Sequence, residues 1–426
     1  MSAYRVNPVY ERATLTVNVE RRRRIAFITP EFVTDHRNAG GLGNYLLRIG
    51  KLLVERGHQA EVFVSSDMEP RILMHEGIRV ERVSPFAGTL LGKVLTNISR
   101  VGGAGYALAL ATQAWALAAA MQRRHREVPF DIVQSSDYRA VGLAIPRTKG
   151  RIHLVRCSTA ADLWNEVFGE RSTGEKWRER MERATLRRAD KAYAPSRFVA
   201  AHYLSRYGIA IDVLRPPSGL EVAPSSDPPC GLPERFLLHF GRLGKKTGTP
   251  WLSEALKLAF EIEPTLRMVW VGRGNFSEIA ALQDTMGQHR RKIQILYPLP
   301  KPDLYAVLLR ADATVIPSSV DNLPNTAIES LSLGVPVIGT RGASIDELVE
   351  DGVTGDLVQP GHVEGLASAI VKFWRGESSV RKGFIWRGGI ADEMRPDSAV
   401  ENLLKLAGVR SEAKMNPTTR LAEHRA

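Results

Sequence analysis

Short apolar runs alternate with helix-like segments along most of the chain, and this alternation restricts the possible folds more than any other feature. One set of runs occupies residues 25–30, 60–66, 130–137, 151–158, 191–196 and 211–217, and a second set occupies residues 236–242, 267–273, 293–299, 313–319, 335–340 and 355–360. Such runs are typical of buried strands in parallel sheets, with the intervening helices covering both faces. The sequence therefore predicts an α/β fold built from doubly wound parallel sheets.

Length and one stretch of unusual composition predict two domains. A chain of 426 residues exceeds what one ordinary core supports, and residues 218–233 are rich in Pro, Ser and Gly, as linkers are. We predict an irregular lead at residues 1–23, a Rossmann-like domain at 24–217 and a linker at 218–233. A second Rossmann-like domain at 234–385, a C-terminal helical segment at 386–410 and a polar tail at 411–426 follow. Two such domains are expected to face each other across a cleft.

Charge is distributed unevenly along the chain. The formal net charge is +12, but residues 1–220 carry 34 basic and 21 acidic side chains, whereas residues 221–426 carry 24 and 25. A basic first half, including Arg21–Arg24, attracts anionic partners such as phosphate-bearing substrates or an acidic membrane surface. A solvated basic face with no particular partner stays equally open. Because we find no interleaved aromatic residues there, nucleic acid is not the expected partner.

Composition is that of a soluble globular protein, with 44% hydrophobic and 24% charged residues. The two cysteines, Cys157 and Cys230, cannot build a disulfide framework, which fits a reducing compartment. The chain opens without the pattern of a secretory signal, so we expect a cytoplasmic protein. Residues 101–122 carry no charge and could span a bilayer by length. Since Ala and Gly dominate this segment, we predict a helix inside a domain instead.

Two loops that follow predicted strands contain residues suited to binding phosphate. The first contains Gly40, Gly41 and Gly43 ahead of a helix. Glycines let a ligand approach the backbone, and a helix N-terminus offers N–H groups to an anion, although a plain tight turn is the alternative. The second loop carries Arg242 and Lys246 after the strand of residues 236–242. A guanidinium fork and an ammonium charge together suit a diphosphate.

Two further strand ends complete the pattern. One strand ends in Gly272 and Gly274, and the stretch PSSVDNLPNTAIESLSLGVPVIGT places Asp321 on a loop and Glu329 in the following helix. Pro324 suits the first helical position of that helix. The loop after such a strand is where ligands bind in open α/β sheets. These residues are therefore candidate ligand-binding groups.

Taken together, the four motifs resemble the retaining nucleotide-sugar glycosyltransferases of the GT-B type, specifically glycosyltransferase family 4. The resemblance extends from residue 25 to about residue 405 and is strongest over 236–365, where Asp321 and Glu329 have the spacing of the family's acidic signature. It implies two Rossmann-like domains facing a central cleft. The first domain would bind the acceptor, and the second would bind the nucleotide sugar.

The resemblance also implies a role for each candidate residue. Glu329 would accept hydrogen bonds from the ribose hydroxyls, and Asp321 with the backbone N–H groups of Asn322 and Leu323 would hold the donor sugar. The N-terminus of the helix, around Asn325 and Thr326, would face the diphosphate. Arg242 and Lys246 would neutralise it, and the glycines Gly40, Gly41, Gly272 and Gly274 would allow the donor to approach.

Three residues depart from the family pattern. Asp321 stands where the family usually has Glu, which leaves the identity of the sugar open. Thr247 stands where the family has Lys, so Lys246 or Arg242 alone would have to serve the diphosphate. Ser158 stands where the family often has His, near the sugar, which leaves the acceptor side open.

The expected activity is transfer of a sugar from a nucleoside diphosphate to a glycan or lipid-linked acceptor, with retention of anomeric configuration, in polysaccharide or cell-surface glycan biosynthesis. No Asp-x-Asp pair occurs in the chain, so we expect no metal and no cofactor besides the donor substrate. The acceptor is expected to be acidic or lipid-linked, with peripheral contact to an anionic membrane. A catalytically impaired nucleotide-sugar-binding scaffold, or an epimerase or hydrolase on the same architecture, are the alternatives.

Overall fold

The computed structural model describes residues 22–35, 40–84, 103–158, 160–169, 172–219, 222–227, 229–274 and 276–409. Most of the predicted lead, including Arg21, and the predicted polar tail at 411–426 lie outside the described residues.

The first half of the described chain forms one twisted sheet with helices around it. Its strands are β1 Arg24–Thr29, β2 Gln59–Ser65, β3 Ile72–His75, β4 Ile78–Val83, β5 Ile132–Ser136, β6 Ile152–Arg156, β7 Lys191–Ala194 and β8 Asp212–Val213. Its helices are α1 Gly41–Glu55, α2 Gly103–Glu127, α3 Ala161–Phe168, α4 Thr173–Arg188 and α5 Arg197–Tyr207. The strand order is β3-β4-β2-β1-β5-β6-β7-β8, and every pairing is parallel except β3 with β4.

The second half forms a smaller parallel sheet in the same way. Its strands are β9 Leu237–Arg242, β10 Met268–Arg273, β11 Ile293–Leu296, β12 Ala313–Ile316, β13 Val337–Thr340 and β14 Gly355–Val358, in the order β11-β10-β9-β12-β13-β14. The remaining helices are α6 Thr249–Ile262, α7 Phe276–Met286, α8 Lys301–Arg310, α9 Asn325–Ser332, α10 Val363–Trp374, α11 Gly389–Glu393 and α12 Pro396–Leu406. Helix α9 begins one residue after Pro324, which is its N-cap and not its first helical residue.

Both sheets contain a topological switch point. In the first sheet β1 lies between β2 and β5, and in the second sheet β9 lies between β10 and β12. The connections on either side of such a strand run in opposite directions, which opens a crevice at the carboxyl ends of the strands. Arg242 at the end of β9 and Asp321 on the loop after β12 therefore lie at the crevice of the second sheet.

The last helix crosses back to the first domain. Leu403 and Leu404 of α12 are buried in the same apolar cluster as Leu46 and Leu53 of α1. Burying a leucine side chain contributes about 1.5–3 kcal/mol, so this contact ties the C-terminal segment firmly to the first sheet.

Helix α2 is the one helix in the described ranges that is long and apolar enough to cross a membrane. Leu117 and Met121 on one face are fully buried against Ile28 and Val133 of the first sheet. This packing is that of a domain helix, as predicted from its Ala-rich composition.

The basic run before β1 is largely balanced by acidic neighbours. Arg23 pairs with Asp131 at 3.3 Å, and Arg24 pairs with the buried Glu61 at 2.7 Å. Within the described residues, this run therefore offers less free charge than the sequence indicates.

Candidate active site

The loop after β12 lies in the cleft and contacts the first domain directly. Asn322 Nδ2 donates a hydrogen bond to the Cys157 carbonyl at 3.0 Å, and its Oδ1 accepts one from Ser196 Oγ at 2.8 Å. Arg48 of α1 donates to Asn325 Oδ1 at 3.1 Å. Both asparagines predicted to lie around the donor thus lie at the boundary of the two domains, and their side chains bond across it.

The backbone of this loop is held by hydrogen bonds within the protein. The Asn322 N–H donates to Asp321 Oδ1 at 2.8 Å, and the Leu323 N–H donates to Ser344 Oγ at 2.8 Å. Both N–H groups that the resemblance assigns to the donor sugar are therefore already paired inside the protein. Leu323 is buried at a φ of 64°, a conformation that costs a non-glycine residue about 1–3 kcal/mol and is typical of functional loops.

Asp321 carries a perturbed carboxyl group. Desolvation raises its pKa to about 6, although hydrogen bonds from the Asn322 N–H and the Ser318 side chain act in the opposite direction. A carboxyl group with a pKa near neutrality at a strand end is typical of a functional site, although structural carboxylates also show such shifts.

Glu329 lies one helical turn into α9 and is 4% exposed. Its Oε1 accepts a hydrogen bond from Lys301 Nζ at the start of α8. The structure therefore places Glu329 at the crevice of the second sheet, as predicted, and adds a cation that the sequence reading missed.

The N-terminus of α9 has the features expected of an anion site. No side chain caps it, and the Thr326 methyl group lies 3.2 Å from where a Cβ at Gly241 would stand. Gly241 itself has a φ of 111°. The N-terminus of α9 and the end of β9 therefore meet closely, with Arg242 next in the chain. Free N–H groups at a helix start favour a negative charge there.

Arg242 and Lys246 differ in how the structure holds them. Arg242 is exposed, and its side chain makes no hydrogen bond or ion pair within the described residues. Lys246 Nζ lies 5.9 Å from the ring centre of Trp164 on α3, across the cleft. Thr247, which replaces the family lysine, donates to the Arg242 carbonyl at 2.6 Å and so stabilises the turn.

The four predicted glycines serve packing as much as ligand approach. A Cβ at Gly272 would lie 1.9 Å from the Gly241 carbonyl oxygen, and one at Gly274 would lie 2.9 Å from Ile279. A Cβ at Gly41 would lie 3.0 Å from Asn325 Nδ2, so this glycine permits close contact of the two domains. Gly40 is the N-cap of α1.

The N-terminus of α1, predicted to face an anion, is partly satisfied by the protein. Glu31 Oε1 accepts a hydrogen bond from the Gly43 N–H at 3.2 Å. A carboxylate there already interacts favourably with the helix dipole. The described part of this loop therefore gives less support to an anion site than α9 does.

The first-domain side of the cleft contains a buried polar cluster that was not predicted from the sequence. Ser158, in place of the family histidine, donates its N–H to Asp137 Oδ1 at 2.7 Å and accepts from Arg156 Nη1 at 2.8 Å. Burial raises the pKa of Asp137, with the Ser158 N–H opposing it. Burial and then the nearby Asp137 raise the pKa of Glu182 well above its usual value. The polar ending QSSD of the strand at 130–137 was the signal available for Asp137.

No group of three His, Cys, Asp or Glu side chains in the described residues could hold a metal ion. The expectation that transfer needs no metal stays a prediction.

Sequence models of known families match both domains. One, described as "Glycosyl transferases group 1", matches residues 234–375, and one described as "Glycosyltransferase Family 4" matches residues 39–217. The chain is also 26% identical to the D-inositol 3-phosphate glycosyltransferase of Thermobifida fusca, over 76% of this chain and 78% of that protein.

Solved structures share the fold at low sequence identity. Sucrose-phosphate synthase from Thermosynechococcus elongatus superposes with a TM-score of 0.65 and 18% identity, covering 90% of this chain and 95% of that chain. HepE from Anabaena in complex with UDP-glucose superposes with a TM-score of 0.65 and 17% identity, covering 91% of this chain and all of that chain. The predicted GT-B architecture, two Rossmann-like domains facing a cleft, is confirmed.

Proposed function

Because the chain is a glycosyltransferase of family 4, we propose that it moves a sugar from a nucleoside diphosphate to an acceptor with retention of anomeric configuration. One arrangement carries the proposal: Asp321, Glu329, Arg242 and the uncapped start of α9 share the carboxyl edge of the second sheet. A solved structure of the same fold is described as a complex with UDP-glucose, which supports a nucleotide sugar as the donor class.

Each group in this arrangement has a proposed task. Glu329 accepts hydrogen bonds from the ribose, and Asp321 orients the donor sugar. The start of α9 and Arg242 stabilise the charge that develops on the departing diphosphate, and preorganised donors of this kind are typically the largest contribution to catalysis. An oxygen of that leaving group takes the acceptor proton while the acceptor attacks the same face. No metal is needed for these steps.

We propose that the acceptor carries an anionic, phosphate-type group and binds the first domain. Arg156 is 7% exposed and precedes Cys157, whose carbonyl accepts a hydrogen bond from Asn322. Arg139 follows β5 at the same edge, and its buried Nε has no hydrogen-bond partner among the described residues. The name of the Thermobifida fusca relative refers to a phosphorylated inositol, which supports this class of acceptor. Assembly of a polysaccharide or cell-surface glycan is the process proposed for it.

A cytoplasmic location and peripheral contact with an anionic membrane are also proposals. Arg23 and Arg24 are ion-paired, so they support such contact weakly. Helix α2 exposes Leu108 and Trp115, one heptad apart and therefore on one face.

Thermal unfolding of the wild type and Glu329→Gln with UDP, GDP, ADP and CMP tests the donor site. We expect one nucleotide at millimolar concentration to raise the Tm of the wild type by several degrees, because a ligand that binds only the folded state stabilises it. Glu329→Gln should lose most of this shift. The exposed Glu364→Gln on α10 is the control and should keep it.

The matching nucleotide sugar then tests the reaction itself. We expect transfer to survive EDTA, the product to keep the donor's anomeric configuration by proton NMR, and inositol phosphate to outperform inositol as acceptor. If none of the four nucleotides raises the Tm of the wild type, the donor site is wrong and the scaffold alternative is favoured.

A further inference from the structure

A lysine from a neighbouring helix pairs with the buried carboxylate of the donor site. Lys301 Nζ donates to Glu329 Oε1, and the two residues are 28 positions apart in the chain. The Glu329 side chain is 4% exposed and that of Lys301 is 29% exposed. Among the ion pairs that the structure describes, this is the one that Glu329 makes.

The local sequence fixes the backbone that carries this lysine. Pro300 is the N-cap of α8, and Pro302 stands in its first turn directly after Lys301. Because the proline ring clashes with the backbone of the residue before it, Pro302 restricts the backbone of Lys301. The ammonium group also lies 5.4 Å from the ring centre of the buried Tyr305, one turn further along α8. An aromatic ring at that distance favours a cation.

The charge of Lys301 is favourable for nucleotide binding next to Glu329. A buried carboxylate without a counter-ion is costly, and it tends to take up a proton or turn towards solvent. A nucleoside diphosphate brings further negative charge close to Glu329 and so increases the cost. Lys301 offsets both effects and occupies one carboxylate oxygen, which leaves the other available to the ribose.

We propose that Lys301 is a positioning residue for donor binding: it holds the Glu329 carboxylate turned so that Oε2 accepts a hydrogen bond from the ribose. This inference rests on the proposed function, in which Glu329 binds the ribose. Lys301 would thus contribute to recognition of the ribose through Glu329, without contacting the nucleotide itself.

Isothermal titration with paired nucleotides tests this role. UDP, GDP and ADP are titrated first, and the one that binds the wild type most tightly is compared with its 2′-deoxy form. Hydrogen bonds to a charged group contribute enough that losing the hydroxyl should weaken wild-type binding roughly 10- to 100-fold. In Lys301→Met we expect the ribonucleotide to bind at least about tenfold more weakly, and the 2′-deoxy penalty to fall below about threefold.

Two further variants separate positioning from folding. Lys301→Arg keeps the cation and should restore most of the 2′-deoxy penalty, and Lys257→Met removes a lysine from an exposed ion pair with Glu254 and should change nothing. If Lys301→Met folds and keeps the full penalty, the pair is structural only and the inference is wrong. If Lys301→Met unfolds, Lys301→Gln and Lys301→Arg are compared, and equal penalties in the two overturn it. If none of UDP, GDP and ADP binds the wild type, it is the proposed function that fails.

Discussion

Asp321 shows how a single side chain of the proposed donor site can lower the stability of the fold. Its pKa in the folded chain is raised to about 6 from 3.8, chiefly by desolvation. The folded state therefore binds a proton more tightly than the unfolded state, so this residue lowers stability as pH rises from about 4 to about 6. Above the pKa of the folded state the full loss of stability is present, and below the pKa of the unfolded state there is none.

Replacement of Asp321 by Asn is expected to raise the stability of the protein at pH 7.5 by on the order of 1–2 kcal/mol. The amide oxygen can still accept from the Asn322 N–H, so the turn is kept. The gain should shrink as pH falls towards 4, and transfer activity should fall because the carboxylate is lost. Thermal unfolding at pH 4.5, 6 and 7.5 measures the trend.

The exposed Asp284→Asn on α7 is the control, and its Tm should follow the wild type at each pH. A gain for Asp321→Asn that is the same at all three pH values would contradict the pKa argument.

At the scale of elements, the loop between β9 and α6 determines where the two cations proposed to bind the diphosphate lie. Thr247 uses its hydroxyl to hold the turn at the Arg242 carbonyl, while Lys246 is held near Trp164 of the first domain. The lysine therefore stands one residue earlier than in the family pattern, and in this position it contacts Trp164 of the first domain. The exposed Arg242, next to the start of α9, is the better placed of the two.

We expect Arg242→Ala to lower kcat/KM for the donor by about 100-fold or more, as loss of a transition-state charge partner does. Lys246→Ala should lower it by no more than about tenfold, since the lysine acts through a cation–π contact of modest strength. Steady-state kinetics with the identified donor measure both. Lys257→Ala on α6 is the matched control, and an effect of Lys246→Ala equal to that of Arg242→Ala would reverse the assignment.

Some elements were readable from the sequence and others were not. The strand ending in Gly272 and the helix carrying Glu329 have the predicted limits to within a few residues, because continuous apolar runs mark strands buried on both faces. The pair β3–β4 was missed. Strand β3 is short and lies at the edge of the sheet, and β4 interleaves apolar residues with charged ones such as Arg79 and Glu81.

At the scale of the whole molecule, Glu347 of the second domain binds to the first domain at two places. Its carboxylate accepts hydrogen bonds from the Arg197 and Phe198 N–H groups at 2.9 Å each, which are at the start of α5. It also pairs with the buried Arg215 at 2.7 Å. A carboxylate at a helix N-terminus is favourable, and loss of one partner of a largely buried ion pair leaves the other charge uncompensated. These contacts therefore fix how the second domain faces the first.

Replacement of Glu347 by Ala is expected to destabilise the protein by roughly 2–3 kcal/mol. This is less than the full cost of breaking a buried pair, because Arg215 keeps a second contact with Glu393 at 3.4 Å. Hydrogen exchange of the peptide that contains the first turn of α5 should become faster. Mass spectrometry of that peptide measures this, and the exposed Glu364→Ala serves as the reference variant. Unchanged exchange at α5 would show that Glu347 does not hold the domains together.

The sequence by itself determined the architecture and the positions of the candidate site residues in it. Apolar runs of strand length, helix periodicity and the residues at strand ends are local properties, so they identify two parallel sheets and place Arg242, Asp321 and Glu329 at one edge. Only the tertiary structure decided which groups meet. Two hydrogen bonds join segments that are distant in the chain, one from Lys301 to Glu329 and one from Asn322 to the Cys157 carbonyl. No local pattern specifies them. The raised pKa of Asp321 likewise follows from desolvation, which exists only once the chain is folded.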